Sequence, residues 1–128
     1  MPALITNKGK EITVNRIKGS GTEPKYVAWG LDGGTALPLD ITNTALGQAA
    51  PEARTSGTSS VVTTTTTNDT YRVVGTITAT ATRKIKEVGL FDASTGGNLF
   101  VRGTFDEINL EAGDSIQFTI NVQFREQT

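Results

Sequence analysis

The chain contains no cysteine and no histidine. Their absence removes disulfide cross-links, every Cys/His zinc site and the commonest catalytic acid–base group. Large apolar anchors are sparse as well, with one Trp, two Tyr, five Phe and one Met. Neither sign of charge dominates. Twelve Lys and Arg stand against thirteen Asp and Glu, so no strong field draws the chain to nucleic acid or a membrane surface, and neither is expected as a partner. The densest basic group, Arg83-Lys84 with Lys86, runs straight into Glu87 and reads as a solvated strand end or turn. Long hydrophobic runs are missing too. Residues 1–8 turn polar after a short apolar stretch, which does not fit a signal peptide, and no later segment nears the roughly 18 apolar residues of a spanning helix. Assembly in a cytoplasm is the expectation, and the sequon Asn68-Asp69-Thr70 is then accidental.

What is abundant is Thr and Gly, with 14 glycines among 128 residues. Thr suits a pleated, half-buried surface and Gly suits tight turns, so the composition points to a mainly β fold. The length fits a single domain, 1–128, that buries about two-thirds of the surface its unfolded chain exposes.

The last segment is the most regular. From Ile116 to Phe124 every second residue is apolar (Ile116, Phe118, Ile120, Val122, Phe124), which predicts one strand with one buried face. Its strength suggests a central place in a sheet. Residues 71–82 alternate likewise, with Tyr71, Val73, Ile77, Ala79 and Ala81 on one face and Arg72 and four threonines on the other. Before them lie Val61-Val62, the run Thr63–Thr67 and Asn68-Asp69. A two-residue turn at Asn68-Asp69 would make a long hairpin with Val62 opposite Gly75. Residues 85–91 and 99–105 flank the turn formers Asp92–Asn98, and residues 106–114 read as a loop turning at Ala112-Gly113-Asp114. Residues 61–128 thus form a β-core of hairpins.

Residues 1–60 form an N-terminal segment and arm. Thr6 to Gly19 predicts a short helix with Thr6 as N-cap and Gly19 just past the end, although Gly9 and the β-branched Ile12, Thr13 and Val14 oppose it. Residues 26–30 read as a strand. Residues 31–57, rich in Gly, Pro, Ala and Thr, read as a long irregular arm, loose until it lies on a partner. The expected architecture is an antiparallel β-sandwich or β-barrel-like domain carrying that helix and arm. The apolar groups of this region, Tyr26, Trp29, Leu37, Leu39, Ile41 and Leu46, are the candidate partner-binding residues.

Chemistry finds few parts. The glycine clusters lack the spacing of a phosphate loop and read as turns. Asp106, Glu107, Glu111 and Asp114 gather four carboxylates in nine residues, but match no calcium loop, and solvated loop acids are the better reading. A hydroxyl nucleophile needs a base, and none is nominated. No catalytic residue, cofactor or metal is expected. Tyr26 and Trp29 also suit a sugar-stacking platform, which leaves a carbohydrate-binding module as a third reading.

Asn7-Lys8-Gly9 with Asn15–Gly19, Gly21–Gly30, Lys86-Glu87-Val88-Gly89-Leu90-Phe91-Asp92-Ala93 with Gly96–Phe100, and the close Leu110 … Gly113–Thr119 form a recognisable set. Together these stretches resemble small structural proteins of tailed bacteriophages. The resemblance implies a virion protein. It suggests first a capsid decoration (cement) protein on the capsid surface, a homotrimer bound to the lattice of the major capsid protein. The alternative it implies is a tail or tail-fibre adaptor or receptor-binding protein.

Overall fold

The computed structural model describes residues 2–126. The described residues form eight strands and one helix: β1 (Ala3–Ile5), α1 (Asn7–Lys18), β2 (Tyr26–Gly30), β3 (Thr55–Ser56), β4 (Thr58–Val62), β5 (Thr70–Thr78), β6 (Arg83–Phe91), β7 (Leu99–Leu110) and β8 (Ser115–Gln123). Two antiparallel sheets face each other, one ordered β1-β7-β6-β2-β3 and the other β4-β5-β8. This is a mainly β, sandwich-like architecture with one short N-terminal helix.

The core follows strand alternation. Val27 and Trp29 of β2 and Ile85, Val88 and Leu90 of β6 meet Val73 and Ile77 of β5 and Val122 of β8. Trp29 sits edge-on to Phe118 at 6.4 Å between centroids, an arrangement aromatic quadrupoles favour. The sheets join at Gly57, between β3 and β4. Its N–H donates to the Lys25 carbonyl at 2.7 Å, and a Cβ there would strike Val73, so only glycine lets the chain turn this corner.

The helix forms as its end signals predict. The Thr6 hydroxyl accepts the Gly9 N–H at 2.9 Å and donates to the Leu99 carbonyl at 2.6 Å. Gly19 closes the helix at φ 94°. Gly9, unfavourable to a helix by propensity, is required by packing: a Cβ there would overlap the Phe100 carbonyl oxygen. The helix therefore lies directly against the backbone of β7.

Three local expectations are corrected. First, Val62 pairs with Thr70 and Val61 with Tyr71, and not with Gly75 and its neighbours. The Thr63–Thr67 run is turn, not strand, because the Asp69 carboxylate accepts the N–H groups of Thr64, Thr65 and Thr66 at 2.9–3.1 Å. Asn68 at φ 60° completes the reversal. These donors, led by Thr64 and Thr66, hold the Asp69 carboxyl well below the usual carboxylate range. Second, residues 106–110 are strand. After an irregularity between Ile85 and Glu87, β6 and β7 resume pairing at Ile85–Ile108, Lys84–Asn109 and Arg83–Leu110. Only Glu111–Asp114 turns, with the Asp114 carboxylate accepting the Glu111 N–H at 2.8 Å. Third, β8 is an edge strand, and its inward residues Ile116, Phe118 and Ile120 are only half-buried.

A further layer covers the outer face of the five-stranded sheet. Leu31–Arg54 has almost no regular structure, yet it packs on that face. Leu46 is buried against Ala28, Phe91 and Leu99, and the small residue Gly89 leaves room for it, with the Leu46 methyl 3.0 Å from where a Cβ would stand. The arm expected to stay loose is instead a folded part of the molecule.

Candidate assembly surface

The covering loop is held by buried charge. Glu87 and Arg102 lie on β6 and β7, both fully buried, and face outward from the sandwich core toward the loop. One oxygen of Glu87 accepts the Gly47 N–H and the Arg102 Nε–H at 2.8 and 3.0 Å. The other accepts the N–H groups of Asp32 and Gln48 at 3.0 and 2.9 Å. The remaining guanidinium nitrogens of Arg102 donate to the Leu37 carbonyl and Asn43 Oδ1, both at 2.9 Å, and to Asp32 at 3.4 Å. Asp32 in turn accepts the N–H groups of Thr35, Ala36 and Leu37 at 2.9–3.0 Å. Burial alone would raise its carboxyl, but these backbone donors prevail and hold it below its ordinary value. Among the described residues no buried side-chain polar atom lacks a partner. The cluster is closed to outside chemistry. Its product is a fixed loop.

A second carboxylate anchors the far end of the loop. Glu52 accepts the Trp29 indole N–H at 3.0 Å, the Thr80 hydroxyl at 2.7 Å and the Thr80 N–H at 3.1 Å, and it pairs with the Arg83 guanidinium at 3.0 Å. Burial raises its carboxyl, yet these donors, Thr80 first, outweigh it and bring it down to about 2. Arg54 finishes the anchor, 3.5 Å above the Phe91 ring and donating to the Ala93 and Gly96 carbonyls at 2.8 and 2.7 Å.

These contacts decide where the expected partner-binding residues lie. Trp29 is 1% exposed and Leu46 is buried, so both are used within the fold. Tyr26 is half-buried against the Leu46 cluster. Leu37 and Leu39 are half-buried in the loop, and Ile41 is exposed beside the helix start, where its carbonyl accepts the Asn7 N–H at 2.8 Å. The six do not converge on one surface. Asp106, Glu107, Glu111 and Asp114 disperse as well. Glu107 is 3.6 Å from Lys86, Glu111 accepts the Thr82 hydroxyl, and Asp114 caps its own turn.

An open apolar concavity lies elsewhere, beside α1. A groove of about 490 Å³ runs between Ile12 and Ile17 of the helix, Pro24, Tyr71, Phe100 and Phe124. Ile17 is 81% exposed and Phe124 57%. The Tyr71 hydroxyl donates to the Pro24 carbonyl and Glu23 at 3.0 and 3.1 Å, and burial together with the Glu23 carboxylate pushes its ionisation well above the usual tyrosine range. That ring stays neutral and forms one wall.

Asp32, Asn43, Glu87 and Arg102 were absent from the sequence-derived set. A signal for two of them was present. Glu87 and Arg102 each adjoin an apolar strand run, Glu87 before Val88-Gly89-Leu90-Phe91 and Arg102 after Leu99-Phe100-Val101. A charge that a strand carries into the interior beside such a run needs a buried partner. Asp32 and Asn43 carry no comparable mark.

The chain is thus a two-sheet fold in which the carboxylates of Asp32, Glu52 and Glu87 accept from internal donors and an apolar groove stays open beside α1. Its family is a phage one. Residues 26–123 match the model for the podophage GP4 fiber I protein gp80, and the chain belongs to that family. The match covers well over half of the chain and makes this a phage virion structural protein. It favours the fibre alternative over capsid decoration. No curated protein and no solved structure matches the chain.

Proposed function

We propose that this protein is a structural subunit of the fibre of a tailed phage, acting through protein–protein contacts and without catalytic turnover. The observation that carries this is the match of residues 26–123 to a fibre-protein family. The geometry supports it. The buried carboxylates of Asp32, Glu52 and Glu87 are engaged by backbone N–H, hydroxyl and guanidinium donors that fix the loop on the sheet, a use of buried charge that serves a rigid subunit. The exposed large side chains Val14, Ile17, Val61 and Phe124 are the kind of surface that assembly covers. With the fibre reading, the capsid lattice gives way to neighbouring fibre proteins as the partner. Gold-labelled antibody against the protein, applied to intact particles, tests the placement. Label on the tail fibres is expected. Label in a regular array over the head would restore capsid decoration and overturn the proposal.

A further inference from the structure

Edge strands in single-copy proteins are kept from pairing with other chains by shortness, charge, proline or a bulge. Among the described residues the four edge strands are β1, β3, β4 and β8. The first three are short, at 3, 2 and 5 residues. β8 is 9 residues long. It contains no Lys, Arg, Asp, Glu or Pro. Its register with β5 runs unbroken from Thr70–Gln123 to Thr78–Ser115, so no bulge twists it aside. None of the usual guards is present.

The free edge of an extended strand offers backbone N–H and C=O groups at β spacing, and the ligand that satisfies them is another extended strand. The side chains of β8 select which strand. In an antiparallel pairing centred on Thr119, Ile116 stands opposite Val122 and Phe118 opposite Ile120, while Ser115 meets Gln123 and Gln117 meets Asn121. Directly opposed residues share a face. The half-buried inward residues of one copy would therefore cover those of the other, and the outer hydroxyls and amides would meet their like. No register of this strand against itself opposes two equal charges. Beside the same edge, between β1 and β8, is a slot of about 270 Å³ lined by Leu4, Ile5, Val88, Val101, Ile120 and Val122. This is apolar surface that the lone molecule leaves uncovered.

We infer that β8 is a self-association edge. A second copy of this chain adds its own β8 antiparallel across a two-fold axis at Thr119, making one six-stranded sheet, β4-β5-β8-β8-β5-β4. The inference stands on the edge itself and holds for whichever part of the virion carries the protein.

The chain's lack of cysteine makes the test direct. In an antiparallel pair, opposed Cα atoms lie about 4.5–5.5 Å apart, within disulfide range. A Thr119→Cys variant of the full chain, exposed at that position and so expected to fold normally, should form a disulfide-linked dimer under mild oxidation. Gln117→Cys alone should not, because the two thiols would lie about 14 Å apart. Mixing Gln117→Cys with Asn121→Cys should restore the cross-link. Sedimentation of the unaltered chain should show a dimer that Thr119→Lys weakens by about fivefold, the size of effect two opposed like charges produce in a strand pair. A monomer at every concentration, a trimer indifferent to Thr119→Lys, or equal cross-linking by Thr119→Cys and Gln117→Cys would each overturn the inference.

Discussion

The two sheets turn very different backs to the outside. The outer face of β2, β6 and β7 carries small residues (Ala28, Gly30, Gly89) and two charges, Glu87 and Arg102, and lies under the 31–54 loop. The outer face of β5 and β8 carries Val74, Thr76, Thr78, Ser115, Gln117, Thr119 and Asn121, with the Arg72 guanidinium bonded to Asn121 at the surface at 2.9 Å, and is largely exposed. Small residues with fully buried charges mark a face that a loop will cover. Hydroxyls and amides, with the one charge held at the surface, mark a face left to water or to a partner. The first kind depends on ions that must all be satisfied at once, and the second tolerates change.

That contrast can be broken most severely at Arg102. Arg102→Ala strands the Glu87 and Asp32 carboxylates without their cation, and removing one partner of a buried pair costs about 3–5 kcal/mol. Urea unfolding should show this loss, and Arg102→Lys should recover only part of it, since an ammonium cannot reproduce the guanidinium fork.

Next is Glu52, where the loop rejoins the sandwich. Glu52→Gln weakens charge-assisted hydrogen bonds and should cost about 2 kcal/mol at neutral pH. The folded-state carboxyl is depressed to about 2 from 4.5, so its stabilisation is fully present above pH 4.5 and is lost as the pH falls through 2. Melting curves of parent and variant should therefore converge between those values. A gap that stayed constant with pH would remove the carboxylate from the account.

The smallest effects separate the two faces directly. Gly89→Ala on the covered face places a Cβ 3.0 Å from methyl carbons of Leu46 and Leu99 and should cost about 1–3 kcal/mol by overpacking. Thr76→Lys on the bare face should change stability by less than about 0.5 kcal/mol. Comparable losses from both would mean that the bare face is also covered.

The legible parts of this fold were those whose side chains alternate between oil and water. Strand β8 announced itself through Ile116 to Val122, and the helix through Thr6 and Gly19, because each signal is local. The Thr63–Thr67 turn misled because threonine favours strands, while the deciding contact, the Asp69 carboxylate on three backbone N–H groups, involves a residue whose usual sign is only that of a turn former. The edge position of β8 was hidden for a different reason: alternation says that one face is buried, and is silent about how many neighbours a strand has. The loop was least legible. Its order comes from Glu87 and Arg102, 40 to 70 residues away along the chain, and its own composition is that of a flexible segment. So of the six expected contact residues, Trp29 and Leu46 proved to be interior, whereas Phe124, expected on the buried face of the last strand, lies past its end and is exposed.

Hydrogen–deuterium exchange of the isolated protein tests most directly whether the loop is a built layer of the fold. The amides of Asp32, Leu37, Gly47 and Gln48, each bonded to a buried carboxylate, should exchange as slowly as those in the middle of β6. Exchange of these four at unfolded-chain rates, with β6 still protected, would contradict the account and return residues 31–57 to the role of a loose arm.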